Sequence, residues 1–122
     1  MFQSGFPILS TPDIARSLGF YRDLLGGEVS FQYPEQGPPG YVGLTIGSMH
    51  IGIGLSPDTV PGTSGQRVSL WFYVDDCDEE VKRLRAAGVS VVEEPADQPW
   101  GERMARVLDP DGTEVIIATA EK

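Results

Sequence analysis

The side chains that could do chemistry in this chain are few, and most fall on runs that read as strands. His50, the only histidine, sits in MHIGIGL at residues 49–55. There Met49, Ile51, Ile53 and Leu55 alternate with His50, Gly52 and Gly54, so one set belongs on a packed face and the other on an open face. The run at 67–74, RVSLWFYV, divides the same way. Val68, Leu70, Phe72 and Val74 take the packed side, leaving Ser69, Trp71 and Tyr73 on the other. By this rule Phe6 and Ile8 point to the open side, as do Glu114, Ile116 and Ala118. Such a face is aromatic, apolar and sparsely polar, with glycines leaving room where a side chain would block entry. It describes a pocket for a flat or bulky organic molecule. Stacking on Trp71 or Tyr73 contributes ~0.5–1.5 kcal/mol per ring, and a ligand cation over a ring about as much. Micromolar binding, ~8 kcal/mol, therefore requires several such contacts together.

Other reactive groups have plainer readings beside the chemical one. A neutral His50 next to a carboxylate such as Glu114 could act as a general base, or it could be a polar edge residue. Trp100, in the QPWG loop, either contacts a ligand or anchors its loop, and Arg103 can hold that loop by an ion pair. Cys77 lies on the apolar stripe of a helix and reads as a small buried hydrophobe. Asp75 and Asp76 are paired carboxylates that a helix start already accounts for.

The elements that position these residues occur twice in the same order. Residues 6–10 form a short apolar run stopped at Pro12, which disfavours the α region for Thr11. Asp13 caps a helix carrying Ile14, Leu18, Tyr21 and Leu25, and Gly26-Gly27 ends it. Strands follow at 28–33, 41–46 and 49–55, with a Pro- and Gly-rich loop at 34–40 and a hairpin at Gly47-Ser48. Residues 57–66, rich in Pro, Gly, Ser and Thr, read as a linker. Then come a strand at 67–74 and a helix capped at Asp75-Asp76, with Cys77, Val81 and Leu84 on one face and Gly88 at its end. Its acidic first turn and basic end suit the helix dipole. A strand at 89–94, a loop at 95–101 and a hairpin closed by Asp109-Pro110-Asp111-Gly112 finish the copy. The pattern is β-α-β-β-β repeated after about 60 residues: an α+β fold in a single domain 1–122, with module one at 1–56 and module two at 67–122. A lone module would leave one sheet face bare, so two must pair, within a chain, across a dimer, or both.

Composition narrows the function classes. The 122 residues carry a formal charge of −9, which argues against a nucleic-acid partner and favours cationic ligands through long-range steering. No apolar run approaches the ~20 residues of a membrane span. The N-terminus has no basic segment ahead of its short apolar patch and does not read as a secretory leader. A single cysteine allows no intrachain disulfide and no cysteine-built zinc site, so a cytoplasmic setting is expected.

With its two βαβββ modules, TPDIARSLGFYRDLLGG, SLWFYVDD and the closing QPWGERMARVLDPDGTEVI, the chain resembles the vicinal oxygen chelate superfamily along nearly its whole length. That superfamily includes glyoxalase I, extradiol dioxygenases, fosfomycin-resistance thiol transferases and bleomycin-resistance proteins. The resemblance implies a strongly curved mixed sheet, helices on its outer face, a ligand cavity inside and a homodimer. Its enzymes hold a divalent metal, at positions that fall here on Phe6, Ser69, Ile116 and Gly52 or Gly54. None offers the imidazole or carboxylate such an ion requires, so no metal and no other cofactor is expected. The function implied is that of a bleomycin-resistance-like protein sequestering an antibiotic or other aromatic or cationic compound. Its expected ligand contacts are Phe6, Ile8, His50, Gly52, Ser69, Trp71, Tyr73, Trp100, Glu114 and Ile116. The alternative is an enzyme: a divergent glyoxalase-like lyase, isomerase or dioxygenase with a non-standard or absent metal site.

Overall fold

The structure is a computed structural model that describes residues 6–57 and 69–120. The chain divides into two compact units, Met1–Pro61 and Gly62–Lys122. The expected linker, beyond Pro57, lies outside the described residues, as do Arg67 and Val68 at the start of the fifth strand.

Unit one runs β1 (Ile8–Thr11), α1 (Ile14–Leu18), a π-helical continuation (Gly19–Leu24), β2 (Glu28–Tyr33), β3 (Tyr41–Ile46) and β4 (Met49–Leu55). Its sheet has the order β1-β4-β3-β2, with β1 parallel to β4 and the other pairs antiparallel. Asp13 caps α1, its carboxylate accepting from the Arg16 N–H at 3.1 Å. The helix then widens into π geometry, which turns both Phe20 and Tyr21 inward, edge to face with centroids 4.8 Å apart. The 3.6-residue stripe through Ile14, Leu18 and Tyr21 does not include Phe20, which is buried beside Tyr21 in the π-helical turn. Gly26, at φ 80°, ends the helical run in the left-handed region that glycine adopts freely. The packed face of the sheet, including Val42, Leu44, Ile51 and Ile53, is buried together with Ile14, Leu18 and Tyr21 of the helix.

Unit two repeats the order: β5 (Ser69–Tyr73), α2 (Cys77–Ala86), β6 (Ser90–Asp97), β7 (Arg103–Leu108) and β8 (Glu114–Thr119), paired β5-β8-β7-β6. The fold is therefore α+β, with one four-stranded mixed sheet and one helical element in each unit. Asp76 caps α2, and Cys77, Val81 and Leu84 bury its inner stripe. Cys77 is buried and unbridged, its Sγ–H donating to the Ile117 carbonyl at 3.3 Å. Burial and the neighbouring Asp78 push the thiol's pKa up, away from reactive thiolate.

The closing hairpin forms as its residue types require. The Gly112 N–H reaches the Asp109 carbonyl at 3.0 Å with Gly112 at φ 89°, and the Asp109 carboxylate takes the N–H groups of Asp111 and Thr113. One boundary differs from expectation: β6 runs on through Pro95 to Asp97, where a loop was expected from 95. β6 is an edge strand, so a proline without an N–H forfeits no ladder bond on its outer side, and the pairing with β7 shifts between Glu93 and Ala96 to accommodate it. No helix among the described residues is long and apolar enough to cross a membrane.

Candidate functional site

Each sheet has one face packed on its helix and one face free of it, and the candidate residues lie on the free faces. In unit one, strand pairing sets Ile8 beside Gly52, Gly52 beside Gly43, and Phe31 beside Gly43. Side chains at paired positions share a face, so Phe6, Ile8, Phe31, Tyr41 and His50 line one surface. Phe6, Ile8 and Phe31 are all more than half exposed. Phe31 and Tyr41 meet edge to face, centroids 6.0 Å apart at 62°. Phe6, Phe31, Tyr41 and His50, with Ser30, Gly43, Leu44 and Ile51 but not Ile8, line a cavity of about 370 Å³. His50 sits at its margin, with Nδ1 3.1 Å from the Thr45 hydroxyl. That contact fixes the ring and leaves Nε2 as its remaining polar atom.

Gly52 has a different role from the one expected. A Cβ built there would lie 2.8 Å from Cζ and 2.9 Å from Cε1 of Tyr41, and closer still to the hydroxyl. The space left by the glycine is filled by the Tyr41 ring of the neighbouring strand and is not open to a ligand. Phe31 and Tyr41 themselves lie outside the set anticipated from sequence. Period-two alternation extended to the second and third strands would have reached both.

In unit two, Ser69 pairs with Glu114, Trp71 with Ile116 and Tyr73 with Ala118. Ile116, expected among the ligand contacts, is buried with Met104 and Ala118 in a small apolar cluster. Glu114 is engaged rather than free: it accepts from the Ser69 hydroxyl at 3.0 Å and pairs with Arg106, which also reaches Glu93. Trp71 and Tyr73 are exposed, rings 6.0 Å apart and tilted by 59°. Trp100, half exposed, donates its indole N–H to Glu102 at 2.8 Å. The Glu102 carboxylate also acts on the Tyr73 phenol, raising its pKa from the ordinary tyrosine value. This carboxylate too was absent from the anticipated set; the only signal was its spacing, two residues after Trp100.

A second depression in unit two, about 660 Å³, is lined by Asp75, Asp76, Asp78, Asp97 and Arg103. Arg103 fills it with ion pairs, bidentate to Asp78 at 2.6 and 2.9 Å and to Asp97 at 3.1 Å. It ties the first turn of α2 to the end of β6, the loop-holding role its position suggested. Asp76 is spent on the helix cap.

The chain matches the family model described as Glyoxalase/Bleomycin resistance protein/Dioxygenase superfamily over residues 5–117. It is 37% identical over 112 residues to the anthracycline biosynthesis protein DauV of Streptomyces sp. (strain C5), covering 88% of this chain and 38% of that relative. The chain thus spans well under half the length of the curated relatives it matches. Among solved structures, TioX from Micromonospora sp. ML1 superposes with a TM-score of 0.77 at 24% identity over 98% of each chain. A bleomycin-binding protein complexed with bleomycin gives 0.70 at 24% identity, over 98% of this chain and all of the other. At such identity these two likenesses establish the fold alone.

The enzymes that this chain resembles use a divalent ion, and the donor set here does not fit one. Phe6 and Ile116 are hydrocarbon, Gly52 is covered by Tyr41, and the Ser69 hydroxyl is spent on Glu114. Among the described residues no three His, Cys, Asp or Glu side chains converge as a metal would require.

Proposed function

The chain belongs to the glyoxalase/bleomycin resistance protein/dioxygenase superfamily, and on that footing we propose that it binds a flat aromatic small molecule without a metal, sequestering an antibiotic or similar compound. The observation that carries this reading is the ring-lined cavity of unit one. At about 370 Å³ it falls within the size range of small-molecule pockets, and Phe6, Phe31 and Tyr41 offer it aromatic walls. The charge of −9 favours cationic members of that ligand class through attraction at long range. A relative named for anthracycline biosynthesis and a neighbour solved with bleomycin make both compound classes reasonable probes.

The catalytic alternative, His50 working with Glu114, draws less support. Each already has a partner within its own unit, Thr45 for His50 and Ser69 with Arg106 for Glu114. A homodimer in the cytoplasm is the proposed working state, and sedimentation of the purified protein tests the dimer.

The binding reading is tested by titrating the neutral fluorescent probe N-phenyl-1-naphthylamine and watching its emission rise. Saturable binding near micromolar is expected, weakened about fivefold to tenfold in Phe31→Ala, the equivalent of one lost ring contact. Phe31 is 56% exposed, so that variant should fold normally. Absence of binding by this probe, by daunorubicin and by bleomycin would remove the proposal.

A further inference from the structure

The surface of unit two differs chemically from that of unit one. Three large rings stand exposed there, Trp71 at 36%, Tyr73 at 60% and Trp100 at 53%. Single exposed aromatics need no explanation, but a group of them does. One carboxylate, Glu102, bears on two of the three: it accepts the Trp100 indole N–H at 2.8 Å, and it raises the pKa of the Tyr73 phenol. The third, Trp71, lies ring to ring with Tyr73 at 6.0 Å.

That carboxylate, Glu102, stands apart from its acidic neighbours. Asp78, Asp97, Glu93 and Glu114 are each paired with an arginine. Glu102 has no cationic partner among the described residues. A negative charge set beside exposed aromatic rings and lacking a counter-ion suits a soft, weakly hydrated cation. Hard ions such as Ca²⁺ or Mg²⁺ require several oxygens and find one carboxylate here. An alkylammonium, by contrast, gains from ring quadrupoles and needs only one counter-charge.

We propose that unit two carries a subsite for an organic ammonium group, with Trp71, Tyr73 and Trp100 contacting its alkyl shell and Glu102 supplying the opposite charge. This rests on reading the chain as a small-molecule binder and adds that its ligand bears an amine or quaternary nitrogen.

Both tryptophans of the chain belong to this cluster, so a protein labelled with ¹⁵N-tryptophan shows two indole N–H signals and both report on it. Choline is the probe, and 3,3-dimethylbutan-1-ol its neutral isostere. Choline should shift both indole signals saturably, with the alcohol binding at least about tenfold more weakly. Glu102→Gln keeps an oxygen for the Trp100 indole N–H and removes only the charge. It should weaken choline at least about threefold and leave the alcohol unchanged. Rising ionic strength should weaken choline in the wild type. The proposal fails if choline moves neither signal, or if Glu102→Gln binds it as well as the parent. N-phenyl-1-naphthylamine titrated in parallel separates the two readings. If it binds while choline does not, only the ammonium subsite falls; if daunorubicin and bleomycin fail along with both, the small-molecule reading falls with it.

Discussion

Gly52→Ala should destabilise this protein, although the same change in an ordinary strand stabilises. Its backbone is not in the left-handed region, so alanine meets no strain there, and reduced freedom of the unfolded chain should gain about 0.4–1 kcal/mol. Against this, the new methyl would lie 2.8 Å from Cζ and 2.9 Å from Cε1 of Tyr41. The ring is rigid and must swing as a whole, retreating by about an ångström to reach normal contact. Overpacking of this kind costs about 1–3 kcal/mol, and loosening the edge contact with Phe31 adds part of another ~0.5–1.5. The expected net loss is about 1–2 kcal/mol, a Tm lower by about 3–10 °C. Urea denaturation of Gly52→Ala, Tyr41→Ala and the double variant measures it as a cycle. With Tyr41 removed, Gly52→Ala should become neutral or stabilising. An equal cost in both backgrounds would refute the assignment of that space to the tyrosine.

The remaining expectations concern unit two. Asp109→Ala strips an acceptor from the N–H groups of Asp111 and Thr113 in a buried turn. It should cost about 2–4 kcal/mol in urea, while Asp109→Asn, which keeps an oxygen in place, should cost clearly less. Arg103 holds the Asp78 carboxyl below its usual range of ionisation, chiefly by hydrogen bonding. A depressed carboxyl stabilises above its unfolded pKa and loses that contribution as pH falls through the folded value. The stability gap between wild type and Arg103→Gln should therefore narrow as pH drops below about 4. Tyr73 is shifted the other way, so its contribution is complete below its free pKa and is lost as pH rises through the folded one. Absorbance titration at the phenolate band should find it above 10.0 and moving down in Glu102→Gln.

Strand alternation and turn chemistry made much of this architecture legible. The runs at 28–33, 41–46 and 49–55 are the observed strands. The caps at Asp13 and Asp76, and the turn closed by Gly112, follow from short polar side chains and positive φ. What resisted reading depends on geometry beyond a two- or 3.6-residue period. Pro95 reads as a loop until its strand is known to be an edge. Phe20 lies off the apolar stripe, in a π-helical turn that a 3.6-residue period does not anticipate. Alternation places Gly52 on a face but does not say that a tyrosine two strand positions away will lie across it. It assigns Ile116 a side, yet does not say that it will be buried there, with Met104 and Ala118. Glu102 has no periodic signature at all; its place is fixed by the hydrogen bond from Trp100.

The most direct measurement of the central claim, that ring surface rather than an ion holds the ligand, is calorimetric titration of daunorubicin into protein dialysed against chelator. The same titration is then run after adding Zn²⁺, Mn²⁺ or Ni²⁺. Equal affinity in every case, weakened by Phe31→Ala, is the expected result. Binding that vanishes on chelation and returns with one of the metals would contradict it.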